Sequence, residues 1–195
     1  MIQKKQLWQL AGGNGSGKST FYETRLKHLG LPFVNADVIA KKIKPSSPEE
    51  ASYTAAKLAE VERLRLLDKG VSFCFETVFS HTSKIDFIAQ AKAKGYEIIL
   101  IWIHLPDSSQ NIARVSHRVV AGGHDVPEDK VRARIERLIM NVKSAIPLCD
   151  VIHCFDNSRY DEPFRPVFSI NYGQLIKHQD PLPTYTELLL SPTKQ

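Results

Sequence analysis

The run Gly12-Gly13-Asn14-Gly15-Ser16-Gly17-Lys18-Ser19-Thr20 constrains this chain more than any other feature. It has the Walker A spacing: Gly, four residues, Gly, Lys, then Ser or Thr. A loop with little side-chain bulk lets successive backbone N–H groups converge on phosphate oxygens. The helix expected after it aims its positive end at the same phosphates. Lys18 adds a mobile charge near the β- and γ-phosphates, and the Ser19 hydroxyl is suited to Mg²⁺. Residues 12–20 are therefore expected to bind ATP with Mg²⁺. The bland alternative is a glycine-rich turn that only caps a helix. Context argues against it: Gln6 to Ala11 reads as a short buried strand, and Thr20 to Leu29 as a helix closed by Gly30 and Pro32.

Beyond the loop, strand and helix patterns alternate, which predicts an α/β fold with a mostly parallel sheet covered on both faces. A second strand is expected over Pro32 to Asp37, ending in a polar tip. Pro45 to Glu50 opens a helix to about Lys69, and Val71 to Phe75 forms a strand ending in Glu76-Thr77. Ser80 or Thr82 can cap a helix to Lys94, and the very apolar Tyr96–Leu105 suits the sheet centre. Helices follow from Pro106 to about Val120 and from Glu128 to about Leu148, around a loop containing Gly122-Gly123-His124. Val151 to Phe155 is the last core strand, and one edge strand is expected around Val167–Ile170. One domain is expected over 1–195, with a lid at about 106–135 and an edge strand and tail at about 160–195.

The 195 residues include 43% hydrophobic ones, enough for a core. No apolar run is long enough to cross a membrane, and the N-terminal one leads straight into the phosphate loop, so a cytoplasmic, non-membrane protein is expected. Three cysteines without a CxxC pair read as buried thiols. Seven histidines lack zinc-ligand spacing. The net charge of +5 is too modest to demand nucleic acid, and no basic run or aromatic RNA-binding pattern accompanies it.

In open α/β sheets ligands bind beyond the carboxyl ends of the strands, where the Walker loop, Asp37 and Glu76 should meet. Asp37 there can take a proton from an attacking hydroxyl; otherwise it is a helix N-cap. Glu76 can hold Mg²⁺ through water or bind a sugar hydroxyl; otherwise it is a solvated strand end. Arg114 and Arg118 share one helix face, beside the apolar pair Val115 and Val119. They suit a lid that closes over ATP, or else a solvated basic face. His124 can donate to a phosphate or organise its loop. Arg132 is expected to pair with Glu128 and Glu136, which leaves Arg134 as the more available phosphate contact.

Together these stretches resemble the compact bacterial branch of the zeta-toxin family of P-loop kinases. The match runs from about Gln6 to Ser158, through the Walker loop, Asn35-Ala36-Asp37, Phe75-Glu76-Thr77, Arg114-Val115, Arg118-Val119, Gly122 to Pro127, Arg134-Ile135 and Asp156-Asn157-Ser158. Gly13 stands where that branch usually has Pro, and Ile135 where it has an aromatic. The resemblance implies a P-loop kinase-like three-layer sandwich with a central, mostly parallel sheet and a helical lid. It implies Asp37 as general base, Lys18 on the phosphates, Arg118 on the γ-phosphate, and Glu76 with Thr77 in the acceptor pocket. It also implies a phosphorylated UDP-sugar such as UDP-N-acetylglucosamine, and a small antitoxin that blocks the nucleotide site.

The resulting expectation is an ATP/Mg²⁺-dependent phosphotransferase acting on a small-molecule hydroxyl, with Lys18, Asp37, Arg118 and Arg134 catalytic. A non-toxic metabolic kinase is the nearest alternative. An ATPase or binding switch would require an apolar strand ending in Asp-Glu and an LSGGQ-type signature, and neither is found.

Overall fold

The computed structural model describes residues 4–120 and 126–191. Its centre is strand β4 (Glu97–His104), buried at every position. Ile98, Leu100 and Trp102 enter the larger apolar cluster on one face of the sheet, and Ile99, Ile101 and Ile103 the cluster on the other. This alternation is what a strand covered on both sides requires.

Around β4 lie β1 (Gln6–Gly12), β2 (Phe33–Val34), β3 (Phe73–Thr77), β5 (Val151–Asp156), β6 (Arg165–Asn171) and β7 (Gln174–Lys177), in the order β2-β3-β1-β4-β5-β6-β7. The first five strands are parallel, and β6 and β7 add antiparallel. The expected single edge strand at Val167–Ile170 is thus corrected. β6 is an inner strand with Val167, Phe168, Ser169 and Ile170 buried, and β7 forms the edge. Tyr172 and Gly173 join them, both at positive φ (48° and 83°), which matches the twist of a two-residue hairpin turn. Tyrosine is an unusual residue for such a turn, so the sequence carries no strong hairpin signal.

α1 (Lys18–Phe21) continues as a π-helical segment over Tyr22–Leu26 and a 3₁₀ turn over Lys27–Leu29, closed by left-handed Gly30. Its Phe21 and Leu26 cover one sheet face, with Phe164 against the Phe21 ring. The expected second strand is shorter than proposed. After Val34 the Asn35 side-chain oxygen accepts from the backbone N–H of Asp37 and Val38 and opens α2 (Ala36–Ile43). Asp37 is therefore neither a strand tip nor an N-cap; it sits in the first turn of α2.

α3 (Ser52–Asp68), α4 (Ser83–Ala93) and α6 (Glu128–Ala145) cover the opposite face through Leu66, Phe87 and Leu138, joined by Leu189 of α7 (Glu187–Leu190). Left-handed Gly70 and Gly95 follow α3 and α4, as their positions predict. Thr82 is the α4 cap position, but its side chain makes no cap bond. α5 (Ser108–Val120) and α6 pack through Val115, Val131 and Ile135 above the carboxyl edge of the sheet. Val119, expected to join Val115, is not part of that cluster. Among the described residues, no helix is long and apolar enough to cross a membrane.

Candidate active site

The loop between β1 and α1 is built around its glycines. A Cβ on Gly12 would lie 2.5 Å from both the Ile103 carbonyl oxygen and Ser16 Oγ. Gly17 has φ +96°, and its Cβ would lie 2.4 Å from Asn157 Nδ2. A side chain fits neither place, so the loop hugs the sheet edge and presents backbone. Ser16 Oγ is buried without a hydrogen-bond partner among the described residues, a state that a polar ligand atom in the loop would relieve. Lys18 Nζ donates to the Gly13 carbonyl at 3.0 Å, folded across the loop. Burial lowers the Lys18 pKa; Glu76 and Asp37 oppose this, and Arg118 adds to it. All three charges therefore bear on one ammonium.

Glu76, at the end of β3, meets the loop directly. Its carboxylate accepts from Ser19 Oγ at 3.1 Å and from Asn35 Nδ2 at 2.7 Å, and lies 3.8 Å from Lys18 Nζ. A hydroxyl and a carboxylate this close form a hard oxygen donor pair of the kind Mg²⁺ takes together with phosphate oxygens. Glu76 is thus no solvated strand end. The Thr77 hydroxyl accepts from the Phe79 N–H at 3.0 Å and supports left-handed Phe79, so its first duty is the turn after β3.

The arginines divide. Arg114 Nη2 donates to the Asn157 carbonyl at 2.9 Å, and its Cβ stands 3.3 Å from where a Gly15 Cβ would be. Arg118, one turn on, bears on Lys18. From α6, Arg134 Nη1 reaches Asn14 Oδ1 at 3.4 Å, a long contact. Arg132 does not pair with Glu128 or Glu136; it donates to Ser108 Oγ at 2.9 Å and ties α6 to the start of α5. Gly122, Gly123 and His124 lie outside the described residues.

Three asparagines of the site escaped the sequence reading as functional candidates. Asn35 joins the α2 cap to Glu76. Asn111 Nδ2 donates to the Asn14 carbonyl at 2.7 Å. Asn157 donates through Nδ2 to the Ser16 carbonyl at 2.8 Å, and its Oδ1 accepts from Phe164 N–H at 3.2 Å. The phosphate loop is therefore held from α5 on one side and from the segment after β5 on the other. A signal for Asn111 was available: a helix-disfavoured amide four residues before Val115 lies on the inward stripe of α5. The two departures from the resembled pattern also meet, since a Gly13 Cβ would lie 3.1 Å from Ile135 Cγ1.

Residues 7–144 match the AAA domain family. An uncharacterized protein of Haemophilus influenzae is 31% identical over 141 residues, covering 69% of this chain and 99% of the relative. Among solved structures, the AvrRxo1-ORF1:AvrRxo1-ORF2 complex with sulphate ions aligns with a TM-score of 0.75 at 20% identity. That alignment covers 98% of this chain, which spans 66% of the length of the matched one. The same complex with ATP gives a TM-score of 0.73 at 20% identity, with the same coverage. The PezAT chromosomal toxin-antitoxin system of Streptococcus pneumoniae gives 0.64 at 16% identity, over 99% of this chain and 81% of that one. The likenesses carry the fold: a P-loop kinase-like α/β sandwich.

Proposed function

The chain belongs to the AAA domain family, in a P-loop kinase-like form, and from that premise we propose that it is an ATP- and Mg²⁺-dependent kinase of zeta-toxin type. Its acceptor is a hydroxyl of a small molecule, with UDP-N-acetylglucosamine the first to test. One observation carries the reading: at the mouth of the glycine loop the Glu76 carboxylate accepts from Ser19 Oγ at 3.1 Å and lies 3.8 Å from Lys18 Nζ, beside a buried Ser16 hydroxyl that has no partner among the described residues. An ATP-bound fold neighbour supports the nucleotide assignment.

In this reading residues 12–20 cradle the phosphates, and Lys18 swings from the Gly13 carbonyl to a phosphate oxygen. Ser19 and Glu76 hold Mg²⁺, which neutralises phosphate charge when bound. Asp37 takes the proton of the acceptor hydroxyl, beside Glu76 and Thr77 in the acceptor pocket. Arg118 and Arg134, on a lid over 106–135, stabilise charge on the transferring group. Arg114 and His124 complete the nucleotide side, Arg114 through its bond to Asn157. Two fold neighbours are described as a two-component complex and a toxin-antitoxin system, which supports a small antitoxin as partner.

The test is ATP consumption by the purified chain with Mg²⁺, with and without UDP-N-acetylglucosamine, with products read by mass spectrometry and Asp37→Asn as control. A phosphorylated sugar nucleotide absent from the control supports the whole reading. ATP binding without that product rejects this acceptor and directs the same assay to other alcohols, as a metabolic kinase requires. Rapid ATP hydrolysis independent of every acceptor would instead identify an ATPase.

A further inference from the structure

Phe79 follows closely on Glu76 and has φ 61°, a left-handed backbone that a bulky side chain rarely takes. Such a residue is kept there only where its surroundings over-determine it. Here the ring is 1% exposed, in the larger core cluster. The N–H donates to Thr77 Oγ1 at 3.0 Å, and the carbonyl accepts from Asn141 Nδ2 at 2.9 Å. Side chains therefore set the course of the turn that leaves β3 beside Glu76, and one of them, Asn141, belongs to a distant element.

Asn141 lies on the buried stripe of α6 with Leu138, Val142 and Ala145, and is itself 7% exposed. An amide is disfavoured both in a helix interior and among apolar side chains, so the core alone gives no reason for it there. Its bond to Phe79 does. The same helix meets the phosphate loop nearer its N-terminus. Arg134 Nη1 reaches Asn14 Oδ1 at 3.4 Å, and Ile135 Cγ1 comes within 3.1 Å of where a Gly13 Cβ would lie. Arg134 and Asn141 share one side of α6, separated by a rise of about 10 Å. One rigid stretch of helix thus touches the phosphate loop at one end and the turn after Glu76 at the other.

We propose that Asn141 is a positioning residue for phosphoryl transfer: through the Phe79 carbonyl it fixes the acceptor-side turn to α6, so that Glu76 and Thr77 stand at a set distance from the phosphates. The proposal rests on the acceptor-side reading of Glu76 and Thr77. The set distance matters because a misplacement of about 1 Å between reacting groups costs up to about a hundredfold in rate.

The experiment compares the full chain with Asn141→Asp, which keeps the shape and, when ionised, has no donor, and with Asn141→Ala. Hydrogen exchange over residues 77–82 is followed by mass spectrometry, with and without a non-hydrolysable ATP analogue and Mg²⁺. Analogue affinity within about twofold of wild type is expected in both variants, the mark of an intact phosphate loop. Exchange over 77–82 should be about tenfold faster or more in both, and the analogue should slow it markedly in the wild type alone. In turnover with UDP-N-acetylglucosamine, kcat/KM for the acceptor should fall about tenfold or more while KM for ATP holds. A core amide with only a structural role would lower stability and leave that split unmoved. Unchanged exchange over 77–82, equal protection by the analogue in all three proteins, unaltered acceptor kcat/KM, or loss of analogue binding in both variants overturns the proposal. If the wild type forms no product, the reading of the acceptor fails separately, and the exchange comparison still decides whether Asn141 fixes the turn.

Discussion

The side chain of Asn35 points its oxygen at the first turn of α2 and its amide at Glu76, so one residue sets both the helix that carries Asp37 and the carboxylate facing Ser19. Asn35→Ala should lower the unfolding free energy by about 1–2 kcal/mol, the usual effect of losing a helix cap. It should also cost activity beyond that loss, because Glu76 is released. Denaturant titration beside turnover separates the two, and unaltered turnover would make Asn35 a cap and no more. At Asp37 the expectation is sharper. Asp37→Asn keeps the backbone bond to Asn35, so nucleotide-analogue affinity should hold while transfer falls about 10²- to 10⁴-fold. Wild-type turnover in that variant removes Asp37 as base.

At the scale of elements, the phosphate loop and the segment after β5 are fitted to each other at Gly17 and Asn157. Gly17→Ala places a Cβ at a left-handed φ of 96° and 2.4 Å from Asn157 Nδ2. A loss of at least about 1–2 kcal/mol from the backbone alone is expected, with weakened nucleotide binding. Adding Asn157→Ala should relieve the collision and leave the backbone strain. Urea unfolding of the double variant should therefore recover only part of the loss, and full recovery would show that φ carries no strain. This contact also shows where the sequence stops being informative. The Walker spacing announced the β1–loop–α1 unit, and the unbroken apolar run at Ile98–Ile103 announced the sheet centre, because both patterns are local. The pairing of Gly17 with Asn157 spans 140 positions and leaves no local signature. α2 entered only through the N-cap alternative for Asp37, two residues late, because its first turn follows β2 after one residue and Phe33-Val34 with Asn35-Ala36 reads equally well as a longer strand. The β6–β7 hairpin was missed because its turn is Tyr172-Gly173 rather than Asn-Gly. Arg63 sits on a stripe of α3 where periodicity reports a core position, but its guanidinium over the Phe75 and Phe87 rings is a long-range contact with no local signature.

Across the whole molecule, the carboxyl ends of β4 and β5 bury a histidine. His104 is 4% exposed and packs at tilted angles against the Trp102 and Tyr185 rings, and burial lowers its pKa to about 4 against the opposing charge of Asp156. Between about pH 6.5 and that value only the unfolded chain binds the proton, so stability should fall as pH drops through this window. The loss is on the order of 3 kcal/mol in total. Urea midpoints across the range should decline in the wild type and flatten in His104→Phe; equal slopes would place the titration elsewhere. Cys74, Cys149 and Cys154 are buried and free, and burial raises the first two to about 12. None should react with iodoacetamide before the chain unfolds, and labelling of the native protein would contradict this. The asparagine braces on the phosphate loop bear on speed as well as on shape. With Asn14 and Ser16 carbonyls already engaged from both flanks, little of the loop remains to be ordered when nucleotide arrives. Association should then follow encounter frequency, without a slow second phase, and stopped-flow binding of a nucleotide analogue would check this.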